Sequence, residues 1–187
     1  LAKAGRIVAV VSGGDPGVFA MAAALFEAVD HGDETDRAVN ISVLPGVSAM
    51  QAAAAKLGAP LGHDFCAISL SDNLKPWEVI VRRLTAAAQG DFVIAFYNPA
   101  SRARPDAIHA AFKLLLELKS ADTPVAFARA VGREDEKLTL TTLGEADPSI
   151  CDMSTLVLIG SSETRFIARP DGLAPWIYTP RHYGGGR

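Results

Sequence analysis

The feature that most constrains the fold is a repeated succession of an aliphatic run, a glycine or proline turn, and an amphipathic segment. Residues 7–11 form an aliphatic run that ends in Ser-Gly-Gly-Asp-Pro, and apolar residues then recur at helical spacing over 18–29. A second run over 40–44 ends at Pro45 and precedes a helix predicted over 47–57. Two such units predict a parallel sheet, with a strand at 7–11 buried on both faces.

Proline, glycine and polar residues predict where helices and loops begin and end in this part of the chain. Pro16 suits the first position of the first helix, and Asp15 before it is placed to cap that helix. The polar residues 33–37 predict a loop. The segment Ala59-Pro60-Leu61-Gly62 predicts a hinge, which gives a first lobe over 1–62 and a second lobe over 63–187.

The alternation of strands and helices continues after the hinge. Leucine alternates with threonine over 137–143, which predicts a half-exposed antiparallel strand, and the runs 155–159 and 164–168 predict a hairpin. The chain is therefore predicted to be an α/β protein whose second lobe is a mixed sheet with helices. Its other predicted elements are strands over 65–70, 91–97 and 125–130 and helices over 76–88 and 105–119.

Composition excludes several classes of protein. Of the 187 residues, 49% are hydrophobic, which suffices for a packed core and excludes intrinsic disorder. Lysine and arginine total 18 against 21 acidic residues, so the net charge is −3. The sequence contains no block of basic residues of the kind that would indicate a nucleic-acid partner. No apolar run reaches the roughly 18 residues of a membrane span, and the first residues lack the apolar core of a signal peptide.

The cysteine and histidine residues bear on the cellular compartment of the protein and on whether it binds a metal ion. Cys66 and Cys151 indicate neither a disulfide framework nor a cysteine-ligated metal, and they fit a reducing cytoplasm. The four histidines lie far apart without metal-ligand spacing, so no metal is expected. Because the first residue is Leu1 and a strand-like run follows closely, we expect an excised or processed piece of a longer protein.

The loops after the first two predicted strands carry candidate binding residues. Open α/β sheets bind ligands at the carboxyl ends of strands, and the loop around Asp15 offers glycines beside a helix N-terminus. Because Asp15 would repel phosphate, a nucleoside hydroxyl or amine fits better. In the second loop, Ser48 and Gln51 have capping-box spacing, while Ser48 and Ala49 are small enough for a flat ligand to lie against the backbone. Turn formation and helix capping alone are the alternative in both loops.

Arginines follow the later predicted strands. Arg102 and Arg104 come after Tyr97-Asn98-Pro99, so an aromatic ring, an amide and two guanidinium groups form a candidate binding edge. The alternative is a turn with solvated arginines. Arg129 and Arg133 lie at the next strand end, where the charged run over 133–136 is more typical of a solvated loop.

Motifs of other chemistries are incomplete. Residues 46–50 lack the last glycine of the Gly-x-Ser-x-Gly elbow of hydrolases, and no Walker loop occurs. Gly13-Gly14-x-x-Gly17 lacks the full dinucleotide-binding spacing, so it is a weak match to that fingerprint.

Five segments, taken in order, resemble the tetrapyrrole methylase family. The Tyr-Asn-Pro and Tyr-Thr-Pro-Arg segments favour the branch that methylates carbon 17 of a precorrin and contracts the ring during cobalamin biosynthesis. The similarity runs from about Gly5 to Tyr183. The segments are Val11-Ser12-Gly13-Gly14-Asp15-Pro16-Gly17-Val18-Phe19, Leu44-Pro45-Gly46-Val47-Ser48-Ala49, Phe96-Tyr97-Asn98-Pro99, Ala128-Arg129-Ala130-Val131-Gly132-Arg133 and Tyr178-Thr179-Pro180-Arg181.

The resemblance implies two α/β lobes with S-adenosylmethionine (SAM) in the cleft between them, in a homodimer. Methyl transfer from a sulfonium needs two aligned reactants rather than a protein nucleophile, which agrees with the incomplete motifs. The implied SAM contacts are Gly13, Gly14, Asp15, Val18, Ser48, Ala49, Asn98, and Val131 or Gly132. The tetrapyrrole substrate carries carboxylates, and the candidates to bind them are Arg102, Arg104, Arg129, Arg133 and Arg181.

One departure from the family concerns the beginning of the chain. The family opens with a strand and a glycine-rich loop, and the similarity here begins after that unit. We therefore expect a truncated first lobe whose sheet exposes an apolar edge. The alternatives left open are a methylase for another tetrapyrrole, including the cobalt-containing substrate or another ring carbon, and a non-catalytic SAM- or nucleoside-binding module. Methylation of ribosomal RNA is disfavoured because the chain lacks a basic patch.

Overall fold

The computed structural model describes residues 1–101 and 104–183. The chain divides into two compact units, 1–49 and 50–187. The predicted lobe boundary at residues 62 and 63 stays a prediction about the family's two lobes.

The first unit contains helices but, among its described residues, no strand. Its elements are a 3₁₀ turn (Ala2–Ala4), α1 (Met21–Asp30), α2 (Glu34–Arg37) and the first residue of α3 (Ala49–Leu57). The strands predicted at 7–11 and 40–44 are wrong, since both segments are irregular and exposed, with Ile7 at 104% and Leu44 at 79%. An aliphatic run predicts burial only where partner strands satisfy its backbone, and no described strand pairs with either segment.

Two boundaries in this unit also differ from the sequence predictions. Helix α1 begins at Met21 rather than at Pro16, whose carbonyl instead accepts the N–H of Ala22 at 2.9 Å. Residues 33–37, predicted as a loop, form α2, because Asp33 accepts N–H groups of the first turn and the Asp36 side chain accepts the N–H of Asp33. The capping box therefore makes a short helix out of a polar segment.

The second unit holds two sheets and most of the helices. The larger sheet has the order β2-β3-β6-β4-β5, and the smaller has the order β1-β8-β7. The strands are β1 (Gly58–Ala59), β2 (Phe65–Ser69), β3 (Val93–Tyr97), β4 (Pro124–Arg129), β5 (Lys137–Thr142), β6 (Thr155–Ile159), β7 (Arg165–Ile167) and β8 (Trp176–Tyr178). The helices are α3, α4 (Trp77–Gln89) and α5 (Ala107–Leu118), with a 3₁₀ turn at Pro148–Ile150.

The predicted mixed sheet is confirmed. Strands β2 and β3 are parallel, whereas β6 is antiparallel to both β3 and β4, and β5 is antiparallel to β4. The predicted hairpin is wrong, because β6 is buried along its whole length in the larger sheet, while β7 pairs with β8 in the smaller one. A fully apolar strand gains most where both of its faces and both of its edges are covered, and that place is the middle of the sheet.

The core lies on both faces of the larger sheet, in the pattern of alternating side chains. Ile94 and Phe96 of β3 pack with Ile80 and Leu84 of α4 and with α5 on one face. On the other face, Ala95 packs with residues of α3 and β8. Within the described residues, no helix is both long enough and apolar enough to span a membrane.

Candidate functional site

The carboxyl ends of three strands meet at one edge of the larger sheet. Phe96 of β3 and Phe127 of β4 both pair with Val157 of β6, so β3 and β4 run in the same direction and end level with each other. Ser69, at the end of β2, pairs with Tyr97 at the end of β3. This edge is the position where open α/β sheets bind ligands, and it carries several of the sequence-predicted site residues.

Two residues at this edge turn the chain sharply. Asn98 directly follows β3 and Ala130 directly follows β4, and both have φ of 51°, in the left-handed region. The Asn98 amide Nδ2 donates to Ser69 Oγ at 3.0 Å, which ties the loop after β3 to the end of β2. The hydroxyl of Tyr97 accepts the N–H of Met50 at 3.1 Å, so the first turn of α3 is held above the same edge.

A cavity of about 480 Å³ opens at this edge. Ala100 and Ser101 lie beyond the end of β3, and Asp152 to Ser154 lie before the start of β6. His109 of α5 and Cys151 complete its wall with the residues of the 3₁₀ turn. The edge therefore combines a concave surface with polar side chains.

Arg104 is fixed at the edge by its own chain. Its side chain is only 13% exposed, its Nη1 donates to the carbonyl of Leu70 at 3.3 Å, and its Nε lies 3.4 Å from Asp72 Oδ1. Lys75, which sequence reasoning missed, donates from Nζ to the adjacent carbonyl of Ser69 at 2.8 Å. The only sequence signal was a lysine just before Pro76, the N-cap residue of α4. Arg102 lies outside the described residues.

Arg129 already binds two carboxylates of its own chain. Its Nε donates to Asp152 Oδ2 at 2.8 Å and its Nη1 to Asp135 Oδ2 at 2.7 Å. These bonds raise the pKa of Arg129 and lower the pKa of Asp135. A substrate carboxylate at Arg129 would have to displace one of them. Arg129 is therefore already paired within the protein and is not a free binding site for a carboxylate.

The loop after Ala130 is closed by a carboxylate as well. The N–H of Gly132 donates to Glu136 Oε2 at 2.7 Å, and Glu136 Oε1 lies 3.2 Å from Lys56 Nζ. Val131 is half-buried and packs on the apolar cluster of the sheet face. Arg133 and Arg181 are exposed.

In the first unit, Asp15 joins the two predicted cofactor loops. Its Oδ1 accepts the N–H of Gly17 at 2.8 Å, and its Oδ2 accepts the N–H of Gly46 at 3.0 Å. These hydrogen bonds, the one from Gly46 first, lower the pKa of the Asp15 carboxyl. The prediction that Asp15 caps the first helix is wrong, because the N-cap position of α1 is Ala20.

The close approach of these loops requires a glycine at position 46. A Cβ there would lie 2.5 Å from the carbonyl oxygen of Gly14, whose own φ is +78°. No atom lies within 4 Å of where a Gly13 Cβ would stand, so the main chain at Gly13 is open on that side. Ser48 is buried, Ala49 begins α3, and Val18 donates its N–H to the Asp15 carbonyl at 3.3 Å.

Thiol and metal chemistry find no support among the described residues. Burial raises the pKa of Cys66 to about 11 and that of Cys151 to about 12, so both thiols stay protonated near neutral pH. Residues 1–101 and 104–183 contain no group of three histidine, cysteine or acidic side chains placed to hold a metal ion.

Comparisons with known proteins show which family the chain resembles. The family model of the tetrapyrrole (corrin/porphyrin) methylases matches residues 1–147. The chain is 59% identical over 184 residues to the precorrin-3B C(17)-methyltransferase of a Sinorhizobium species, which covers 98% of this chain and 72% of that protein. It is 48% identical over 183 residues to the probable cobalt-factor III C(17)-methyltransferase of Salmonella typhimurium, with the same two shares.

A solved structure gives the same result for the fold. The crystal structure of the methyltransferase CobJ matches this chain with a TM-score of 0.88 and 50% identity, over 96% of this chain and 72% of that one. Sequence segments, strand-end geometry and overall fold therefore point to one assignment: this chain belongs to the tetrapyrrole methylase family.

Proposed function

We propose that this protein is a SAM-dependent C-methyltransferase that methylates carbon 17 of precorrin-3B, with ring contraction to precorrin-4, in cobalamin biosynthesis. The observation that carries the proposal is the 59% identity, over nearly the whole chain, to a protein named for that reaction. The reaction also fits what the described residues offer, which is binding surface rather than an activated nucleophile.

Most of the residues proposed to hold SAM are small, which suits the flat, uncharged adenosine part of that cofactor. Gly13 leaves its main chain open on one side, Gly14 and Ala49 carry little or no side chain, and Asn98 supplies an amide at the sheet edge. Asp15 is proposed to act through the loops, because its two carboxylate oxygens already accept the N–H groups of Gly17 and Gly46. Val18, Ser48, Val131 and Gly132 complete the proposed contacts.

Bound SAM would supply an electrophilic methyl group on a sulfonium, and the protein's own task is to orient the two reactants. Backbone groups of the proposed SAM-contact loops would hold the cofactor, and arginines at the edge of the larger sheet would hold substrate carboxylates. Arg104 is proposed first among these arginines, because it is fixed in place and carries one weakly paired carboxylate, whereas Arg129 carries two. Arg102, Arg133 and Arg181 stay candidates.

A methyl-transfer assay tests the proposal. The chain is incubated with SAM and precorrin-3B, and the product is examined by mass spectrometry for one added methyl group. We expect a methylated, ring-contracted product and its by-product S-adenosylhomocysteine (SAH). Binding of SAH without any methylated product would instead favour a non-catalytic SAM-binding module.

The cobalt-containing substrate is a second candidate, favoured by the 48% identity to the probable cobalt-factor III enzyme. Parallel assays with cobalt-factor III and precorrin-3B at equal concentration decide between them. We expect faster turnover of the cobalt-free substrate, in line with the higher identity to the precorrin-3B enzyme. Faster turnover of the cobalt substrate would reverse the assignment.

We also propose that the protein forms a homodimer and works in the cytoplasm. The first unit exposes the large apolar side chains of Ile7, Val11, Leu44 and Val47, which a second copy would cover. Both cysteines are free thiols, as a reducing compartment requires. Sedimentation velocity should give a dimer mass, and a purely monomeric species at micromolar concentration would contradict the dimer.

A further inference from the structure

The described residues hold a group of cations at the carboxyl end of β2. Lys75 and Arg104 donate to the carbonyls of Ser69 and Leu70, which are adjacent in the chain, so both side chains are anchored at the end of β2. Arg83 and Arg104 are both near enough to lower the pKa of Lys75 by charge repulsion, in addition to the larger lowering caused by burial.

This group of cations has fewer carboxylate partners than positive charges among the described residues. Within residues 1–101 and 104–183, no carboxylate lies within 4 Å of Lys75 Nζ or of Arg83, and Asp72 pairs with Arg104 alone. Of the three cations, Arg104 alone has a carboxylate within ion-pair distance among the described residues, and that carboxylate is itself 42% exposed. Like charges held together raise the free energy of the unliganded protein, and an incoming anion would relieve that cost.

The position of the group fits a substrate rather than a cofactor. Ser69 accepts Lys75 through its carbonyl and Asn98 through its hydroxyl, so the cations stand next to a residue proposed to contact SAM. A guanidinium beside an ammonium matches the two oxygens of a carboxylate.

We infer that Lys75 and Arg104 together bind one carboxylate of the tetrapyrrole substrate beside Asn98, an inference that rests on the proposed function. Asp72 competes with that carboxylate for Arg104. Arg83 adds to the local positive potential.

A titration with uroporphyrin III, a stable polycarboxylate porphyrin, tests the inference. Lys75→Gln and Arg104→Gln should each weaken its binding roughly tenfold, while Lys75→Arg, which keeps the charge, should stay within about threefold of the parent. Asp72→Asn should tighten binding severalfold, a change of opposite sign that a merely structural ion pair would not produce. Lys113→Gln, which removes an exposed charge from α5, is the matched control and should bind like the parent.

The outcomes separate this inference from the proposed function. Failure of the parent to bind uroporphyrin III, or equal affinity in Lys75→Gln, Arg104→Gln and the parent, overturns the carboxylate site even if methyl transfer is observed. Weakened porphyrin binding in these variants with no methyl transfer by the parent keeps the carboxylate site and overturns the function. Thermal unfolding of each variant shows whether it is folded. If a glutamine variant does not fold, the porphyrin affinities of the charge-preserving Lys75→Arg and Arg104→Lys variants test the carboxylate site instead.

Discussion

At the scale of single residues, charges in this chain are used chiefly to fix loops. Asp15 holds two loops through two backbone N–H groups, Arg129 holds two acidic segments, and Asp91 joins Lys119 to the loop after β6. The side chains that sequence reasoning selected as ligand contacts thus include some whose bonds lie within the protein. Substitutions separate these two roles.

Asp15→Asn should weaken SAH binding severalfold. Asparagine has one acceptor oxygen, so the loops lose either the bond from Gly17 or the bond from Gly46. Calorimetric titration of SAH measures the change, and Asp30→Asn, which removes the same charge from the end of α1, is the control. Unchanged SAH affinity with lowered stability would mean that Asp15 serves the fold alone.

Lys119→Met should lower the free energy of unfolding by about 3 kcal/mol, because it leaves Asp91 without its buried cation. The Lys119 side chain is 3% exposed and its Nζ lies 3.0 Å from Asp91 Oδ1. Urea unfolding of the variant, and of the double variant with Asp91→Asn, measures the coupling between them. If the loss of unfolding free energy in the double variant equals the sum of the losses in the two single variants, the pair is not coupled.

Asp91 should also make stability depend on pH. Burial raises its pKa, but the bonds from Ser162 and the charge of Lys119 lower it by more, so the pKa lies below the ordinary value. Its contribution is therefore complete above the ordinary pKa of about 3.9 and is lost as pH falls through the lowered value. The free energy of unfolding, measured in urea between neutral pH and pH about 3, should fall more steeply for the parent than for Asp91→Asn. Parallel curves of this free energy against pH would contradict the assignment.

At the scale of elements, a chain of buried hydroxyls joins the predicted hinge to the smaller sheet. Thr179 Oγ1 donates to the Pro60 carbonyl at 2.7 Å and lies 2.8 Å from Thr164 Oγ1, and all three groups follow or precede short strands. Strands of two or three residues gain little from their own ladders, so these side-chain bonds hold the segment 59–62 in place.

Thr179→Val should therefore cost about 1–3 kcal/mol, because valine keeps the shape but leaves the Pro60 carbonyl without a donor. Equilibrium unfolding in urea gives the value. Thr139→Val, at a half-exposed position of β5, is the control and should change stability little, since valine suits a strand. Equal effects of the two substitutions would show that the hydroxyl chain contributes nothing.

At the scale of the whole molecule, the two units differ in how much they bury. Among described residues, Ser48 is the only buried one before residue 50, whereas the core of the second unit runs from Ala53 to Ile177. Most of the hydrophobic stabilisation therefore belongs to the second unit.

A fragment of residues 50–187 should fold by itself, with a Tm within about 4 °C of the whole chain. It should also lose measurable SAH affinity, because the loops around Asp15 and Ser48 are removed. Circular dichroism and calorimetry test these two expectations separately. An unfolded fragment would show that the first unit contributes to the core of the second.

The sequence by itself determined the periodic elements of the second unit and the family. Residues 65–69, 77–89 and 93–97 form the strand, helix and strand that their local patterns predict, because periodicity reports which face of an element is apolar. The ordered segments around Asp15, Ser48, Asn98 and Arg129 were enough to identify the family, as the comparison with the family model bears out.

Only the tertiary structure decided which groups meet. Pairing depends on residues distant in the chain, so a local pattern could not show that β6 enters between β3 and β4, or that residues 7–11 pair with no strand in the described part of the chain. The same holds for charge, because Arg129 is matched by Asp152, 23 positions away, while Lys75 stands beside Arg104 with no acid of its own among the described residues. A side chain's role depends on its neighbours in space, and folding brings those neighbours together.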